Sequence, residues 1–573
     1  MLRYYEGMFL PCTKTEIKER GWDVPDIILV TGDTYIDSPF SGTALIGRVL
    51  EKQGYRVAVI PQPDINSKED IQCLGEPKLF WAVSGGCVDS MVSNYTASGK
   101  KRRSDDFTPG GVNNARPDRA VIAYCNLIRS AFKPCKPIII GGIEASLRRI
   151  SHYDFWSNKV RRPILFDAKA DILAYGMAEH TITELAEAIK AGLSWKNIRG
   201  ICYAQPVSAE LPAEALTLPD FKSVSERSDA GFRCFINMFR IFSDNQEPQS
   251  AQHLVQQIDT RNLIHNPPAQ TLNTEELDAV YQLPFELEVH PECLKKGAVK
   301  ALETIRFSMT THRGCYGACN FCSIAVHQGR RVISRSEDSI VAEAKRITGH
   351  PEFKGIISDA GGPTANMFGF ECTHKIKHGA CRDKRCLYPS VCKKLQPNHK
   401  PLINLLTRLR ALPNVRKVFT ASGIRPDLVM ADSRHGEDYI RCITKNHVSG
   451  QLKLAPEHIC RNVLGFMGKP DSSSLLEFKR IFEANTRRYK LKQFLTYYFI
   501  AAHPGCSLED MKTLKSFVNR ELKLSPEQIQ IFTPTPSTWS TAMYYTGIDP
   551  FSGEKIHVAR EVRDKQAQKN IMV

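Results

Sequence analysis

The chain is expected to fold as an α/β protein, with an N-terminal doubly wound parallel sheet and a C-terminal partial (β/α)6 barrel of the TIM type. Three observations predict this. Short apolar runs ending in turn residues or glycine alternate with helical apolar spacing between Asp26 and Gly192. A second alternation, six strand–helix units long, runs on from Glu303. Between the two, from about Gln205 to Pro291, the periodicity weakens. Strands that alternate with helices imply parallel sheets, and six such units in a row suit a barrel with its site at the strand C-terminal ends.

In chain order, DIILVTGD from Asp26 is an apolar run closed by turn residues. SGTALIGRVLEKQG follows with apolar residues at helical spacing and stops at Gly54, and YRVAVIP is the next strand. KLFWAVSGG, KPIIIGG and ADILAYG repeat the strand-into-glycine pattern, with helical RAVIAYCNLIRSAF and TITELAEAIKAG among them. The weakly periodic stretch contains FRCFINMFRIF, so it reads as a connector that packs on its neighbours. The later strands are TIRFSMT, KGIISDA, RKVFTASG, SGQLKLA, FLTYYFIA and QIQIFTP. The expected domains are therefore 1–204, a connector 205–291, a barrel 292–549 with a cysteine-rich insertion 371–398, and a tail 550–573.

Composition narrows the class. A chain of 573 residues is too long for one ordinary core, and 42% hydrophobic with 24% charged residues excludes a disordered protein. No run approaches the ~18 apolar residues of a membrane span, and the first residues lack a secretion signal. A cytoplasmic protein is expected. The net charge of +16 admits nucleic acid as a partner, although the charge is spread over short runs such as Lys100 to Arg103. Seven of the 18 cysteines fall between Cys315 and Cys392. Clustered thiols in a reducing compartment point to metal rather than disulfides.

The densest cluster is Thr311-His-Arg-Gly-Cys315-Tyr-Gly-Ala-Cys319-Asn-Phe-Cys322, directly after the first barrel strand. Thiolates suit iron–sulfur clusters, which normally take four. Three on one loop can ligate three irons of a cube and leave the fourth open. A zinc site completed by His312 or His327 is the other reading of these residues.

C-x3-C-x-Φ-C with Phe321 as the aromatic resembles the signature of radical S-adenosylmethionine (SAM) enzymes. The resemblance implies a [4Fe–4S] cluster on Cys315, Cys319 and Cys322, with SAM on the open iron and a 5′-deoxyadenosyl radical as reagent. It implies that Phe321 lies beside the adenine and that Gly361 and Gly362, in Asp359-Ala-Gly-Gly-Pro-Thr364, meet the SAM amino group. The acid usual after the glycines is Pro363 here. Arg425 in Ser422-Gly-Ile-Arg425 and Glu457 in Leu454-Ala-Pro-Glu457-His458 are candidates for the SAM carboxylate and ribose. WDVPDIILVTGDTYID, IIIGGIEASLRRISHYDFW, SDAGGPTANMFG and TPTPSTWSTAMYYTGIDP narrow the match to the YgiQ family, from about Phe9 to Ile548. Ser38-Pro39 departs from the His-Pro common there, and members of the family often extend beyond the position of Val573. The family's substrate is not established. The resemblance implies an unknown substrate and a reductase, flavodoxin or ferredoxin as electron donor. An RNA substrate and a non-catalytic metal protein are the alternatives.

A second set, Cys372, Cys381, Cys386 and Cys392, spans 21 residues in spacing that matches no standard zinc pattern. It can hold an auxiliary cluster, a zinc, or no metal. The N-terminal sheet resembles the cobalamin-binding domain of some radical SAM methyltransferases, but no histidine lies between Met1 and Ile150. A histidine-ligated cobalamin is therefore not expected. The stretch with Glu144, Arg148, Arg149, His152, Tyr153 and Asp154 reads either as a solvent-facing loop or as a contact surface.

Overall fold

The computed structural model describes residues 8–524 and 529–572; Gln528, where the sixth barrel strand was expected to begin, and the tail residue Val573 lie outside them. The chain divides into two compact units, one comprising 1–271 and 279–306 and the other 272–278 and 307–573. Among the described residues no helix is long and apolar enough to cross a membrane.

The first unit is built on a nine-stranded sheet. Its strands are β1 (Ile27–Thr31), β2 (Val57–Pro61), β3 (Phe80–Ser84), β4 (Ile138–Gly141), β5 (Ile172–Ala174), β6 (Ile201–Pro206), β7 (Leu216–Leu218), β8 (Leu254–Ile258) and β9 (Arg261–His265). The spatial order is β7-β8-β9-β6-β5-β4-β3-β1-β2. β1 pairs in parallel with β2 on one side and β3 on the other, and β3, β4 and β5 continue in parallel. Burial on both faces explains the unbroken apolar runs: all of β1 is buried, as are Val57–Ile60 of β2. The helix Gly42–Lys52 joins β1 to β2. It is capped by Ser41, which accepts from the Ala44 amide, and ends ahead of Gly54 at φ +85°.

The sheet is not parallel throughout. β6 runs antiparallel to β5, and β9 antiparallel to β6 and β8. β8 and β9 are joined by Asp259 and Thr260 alone, with Asp259 at φ +52°, and so short a link can only make a hairpin. Residues 205–291 thus supply three edge strands and the helix Asp229–Asp244, whose apolar face carries Phe235, Met238, Phe239 and Phe242. The polar stretch after β4 is not solvent-facing. Glu144, Arg148, Arg149, His152, Tyr153 and Asp154 are all 5% exposed or less, because their charges find distant partners such as Asp89 for Arg148 and Arg119 for Asp154.

The second unit carries β10 (Ser308–Thr310), β11 (Ile356–Ile357), β12 (Asp359–Gly361), β13 (Lys417–Val418), β14 (Gln451–Glu457), β15 (Phe494–Ala501) and β16 (Ile529–Ile531). The pairings among these strands are parallel. β10 pairs with β12, β11 with β13, β14 with β15, and β15 with β16, while Ile424 bridges to Leu454 in parallel. Helices Glu337–Thr348, Lys400–Arg410, Ser473–Arg488 and Leu508–Phe517 lie between successive strands. The residues of the candidate site lie at or just after the C-terminal ends of these strands in the chain.

Candidate functional site

The cysteine loop leaves β10 through His312–Arg313, which pairs antiparallel with Ile333–Ser334 and closes the base of the loop. Gly314 at φ +83° passes so close to Arg331 that a Cβ would stand 1.9 Å from its carbonyl oxygen, so only glycine fits. Cys315 donates its amide to the Gly329 carbonyl at 3.3 Å. Beyond it the chain wraps Gly317. A Cβ there would lie 3.3 Å from Cys315 Sγ, 3.4 Å from Cys319 Sγ and 3.5 Å from Arg425 Nη1. The Gly317 amide itself donates to Cys315 Sγ at 3.3 Å.

The three thiols share one electrostatic neighbourhood. Burial pushes the Cys322 thiol up to about 12, and Cys319, Cys315 and Glu457 push the same way. Burial and Cys319 likewise raise Cys315. Gathering three thiolates is unfavourable until a cationic centre joins them, which is what a set of soft ligands around iron supplies. Among the described residues no three histidine, cysteine or acidic side chains converge on a single metal ion. An iron–sulfur cube holds its thiolates further apart than one ion does, and soft thiols that raise one another's pKa without meeting at one point suit such a group.

Arg425 joins this neighbourhood. Its Nη1 donates to Cys319 Sγ at 3.6 Å, while Nε and Nη2 grip Asp427 at 2.8 and 2.5 Å. Burial acts to lower its pKa, but Asp427 and the two thiols outweigh it, so the guanidinium stays charged. Asn366 fixes the backbone, accepting from the Arg425 amide and donating to its carbonyl. Thr364, two residues past the glycine pair, stands 3.9 Å from Cys315 Sγ. The glycines themselves are demanded by packing. A Cβ on Gly362 would lie 2.7 Å from the His312 ring, and one on Gly361 2.8 Å from Ser422 Oγ. Glu457 sits at φ +66° beside Lys469, 3.7 Å from its Nζ. Burial raises the Glu457 carboxyl.

Phe321 faces His503 edge-on at 6.3 Å. His503 shares a 2.7 Å hydrogen bond with Ser540, whose amide donates to the Asn320 carbonyl, so the turn after β15 is tied back to the cysteine loop. Sequence reasoning gave no role to Asp427, Thr364, Lys469 or His503. The signals were present but weak: a carboxylate two residues past Arg425, and a histidine in the turn Ala502-His503-Pro504-Gly505.

The cysteine-rich insertion lies against the same loop. Tyr316 donates to the Phe370 carbonyl, its ring lies under Lys375 Nζ at 4.5 Å, and Arg385 Nη1 reaches the Ala318 carbonyl at 3.5 Å. Cys372, Cys386 and Cys392 pack with Tyr316 and Cys315 in one apolar cluster, from which Cys381 is absent.

A family model described as "Radical SAM N-terminal" matches residues 9–308, and one described as a domain of unknown function matches 527–573. A UPF0313 protein of Fusobacterium nucleatum is 54% identical over 98% of both chains. The chain belongs to the UPF0313 family of radical SAM proteins. The YgiQ resemblance read from the sequence is the same kinship. A second UPF0313 relative, from Clostridium perfringens, is 46% identical over 99% of this chain and 85% of its own, and one from Thermotoga maritima is 46% identical over 98% of both. Among solved structures, this UPF0313 chain resembles the radical SAM methyltransferase TsrM from Kitasatospora setae with cobalamin and a [4Fe–4S] cluster bound. The TM-score is 0.50 at 14% identity, over 90% of this chain and 76% of that one. It also resembles the cobalamin-dependent radical enzyme OxsB with aqua-cobalamin and SAM bound, with TM-score 0.50 at 14% identity over 90% of this chain and 54% of that one. These likenesses concern the fold.

Among the buried histidines of this UPF0313 chain that burial keeps uncharged at neutral pH are His152, His447 and His503. Burial pushes His152 and His503 down to about 3 and His447 to about 4. In the unfolded chain each takes a proton below about 6.5, and in the folded one only near those lower values. The folded state therefore binds fewer protons in this window, and its stability falls as pH drops from about 6.5 toward 4, by roughly 1 kcal/mol per pH unit for each histidine. Thermal melting of the metal-free protein between pH 7 and 4.5 checks this; a flat Tm contradicts it.

Proposed function

We propose that the chain is a radical SAM enzyme in which Cys315, Cys319 and Cys322 ligate three irons of a [4Fe–4S] cluster and leave the fourth for SAM. The convergence of the Cys315 and Cys319 thiols and one buried guanidinium on Gly317, with Cys322 in the same electrostatic neighbourhood, carries this reading. When bound, the cluster supplies one electron to SAM, which splits into methionine and a 5′-deoxyadenosyl radical that takes a hydrogen atom from substrate.

The rest is the work of the chain. Gly317 lets the loop turn inside its own thiols, and Tyr316, held by Phe370 and Lys375, shields it from water on the insertion side. Arg425, fixed by Asp427 and Asn366, holds a positive charge against Cys319 and is placed to meet the SAM carboxylate. Phe321, backed by His503, is the adenine platform; Gly361 and Gly362 leave backbone free for the SAM amino group, and Glu457 serves the ribose. The parallel pairs of the second unit form a partial barrel, and the parallel half of the first unit a doubly wound sheet. Cys372, Cys381, Cys386 and Cys392 are read as an auxiliary metal site against the same loop. A ferredoxin- or flavodoxin-type protein supplies the electron in a cytoplasmic setting.

The test is direct. Protein reconstituted with iron and sulfide without oxygen, then reduced with dithionite, is expected to convert SAM to equal amounts of 5′-deoxyadenosine and methionine. A brown, reducible protein that leaves SAM intact would sink the reading.

A further inference from the structure

In an open α/β sheet, ligands lodge outside the strand C-terminal ends where the strand order reverses. In the first unit that point lies between β1 and β3, because β2 flanks β1 on one side while β4 and β5 follow β3 on the other. TsrM and OxsB were solved with cobalamin bound, so this crevice is where the nucleotide tail of a cobalamin has to be tested.

The residues there do not fit one. A Cβ on Gly32, at the end of β1, would stand 2.3 Å from the Gly85 carbonyl oxygen at the end of β3. One on Gly86, at φ +109°, would stand 2.3 Å from Asp33 Oδ1 and 2.6 Å from Arg116 Nη1. A crevice with no room for a methyl group has none for a nucleotide. The chain itself fills it. The Arg116 side chain, 0% exposed, pairs with Asp33 at 2.6 Å and Asp105 at 3.1 Å, and donates to the Gly85 carbonyl at 2.8 Å. The Cys87 amide donates to Asp33 at 2.6 Å, and the Thr34 amide to the Phe107 carbonyl at 3.1 Å. Gln62, just past β2, donates to both the Gly32 carbonyl and Thr108 Oγ1. The Gly110 amide and the Asp106 carbonyl anchor the plug to Ala298 and Ala301.

Two further facts agree. No histidine lies in residues 1–150, and His152, just beyond, is buried with its Nδ1 bonded to the Ile150 carbonyl at 3.1 Å. The cavity lined by Arg119, Glu144, Arg148, His152 and Asp154 among others encloses room for about one water molecule. That is under the ~300–1,000 Å³ of a pocket for a drug-sized ligand, and cobalamin is larger than such ligands.

We propose that residues 105–116 are a built-in plug of the switch-point crevice and that this chain works without cobalamin. Resting on the radical SAM reading, this fixes the reaction class. The S–C5′ bond breaks with one electron from the reduced cluster, a hydrogen atom moves from substrate to C5′, and the unpaired electron stays on the substrate. Methyl transfer through cobalt, which leaves S-adenosylhomocysteine, is not its chemistry.

The experiment uses the full reconstituted protein incubated with hydroxocobalamin and passed through gel filtration, followed by turnover with SAM and dithionite with and without the corrin. The expected result is no corrin absorbance in the protein fraction, and a 5′-deoxyadenosine yield unchanged by cobalamin. Equimolar corrin on the protein, or S-adenosylhomocysteine formed only when corrin is added, overturns the proposal. Absence of 5′-deoxyadenosine in both arms without corrin binding instead defeats the radical SAM reading and leaves the plug standing.

Discussion

Replacing Cys315, Cys319 and Cys322 together by alanine is expected to take SAM cleavage to the background of dithionite alone and to remove about four irons per chain. The size of the loss follows from the arrangement of the loop. Arg425 Nη1 is aimed at the Cys319 sulfur, and Thr364 and the Gly317 amide at the Cys315 sulfur, so the loop's polar contacts are built around these thiols. Circular dichroism should stay near wild type, because the loop is anchored independently by the Cys315 amide on Gly329 and by Asn320 on Met467 and Phe466. Iron and sulfide that persist in this variant, and vanish when Cys372 and Cys386 are also replaced by serine, assign the second cysteine set. SAM cleavage retained by the triple variant would remove the basis of the functional reading.

The elements that the sequence disclosed are those whose signals are local. The helix Gly42–Lys52 was marked by Ser41 at one end, Gly54 at the other and apolar spacing between them, and β1 to β5 by apolar runs that burial on both faces requires. The cysteine spacing was equally local, since three ligands on one loop need no distant partner. What stayed hidden depends on pairing across the chain. The mixed edge of the sheet rests on strands separated from β5 by tens of residues, in a stretch whose polar turns masked its alternation. The charged stretch after β4 read equally well as surface because its partners are remote: Arg148 meets Asp89, Arg149 meets Gln246, and the Ser151 amide meets Gln256. A charge in sequence is silent about whether it will be neutralised in the interior. For the same reason Arg425 was legible as a candidate, while Asp427 and Asn366, which position it, were not.

Arg116→Met is expected to destabilise the first unit by about 3–5 kcal/mol, the cost of leaving buried charge without its partner. The guanidinium answers two carboxylates at once. Asp33 and Asp105 are both under 5% exposed, and neither has another cation recorded within ion-pair distance among the described residues. Burial alone would lower the Arg116 pKa, but the two carboxylates reverse this, so the plug is held by a fixed positive charge rather than one that titrates near neutrality. The comparison that isolates burial is Arg129→Met. Arg129 meets Asp171 at 2.9 Å, yet the two side chains are 32% and 43% exposed, and its loss should cost under about 1 kcal/mol. Melting of the two variants beside the wild type reads the difference. Arg116→Met combined with Asp33→Asn and Asp105→Asn should recover part of the loss, because amides tolerate burial without a cation better than carboxylates do. If Arg116→Met melts like Arg129→Met, the crevice is solvated rather than plugged, and the argument that no nucleotide tail can enter it fails with the same measurement.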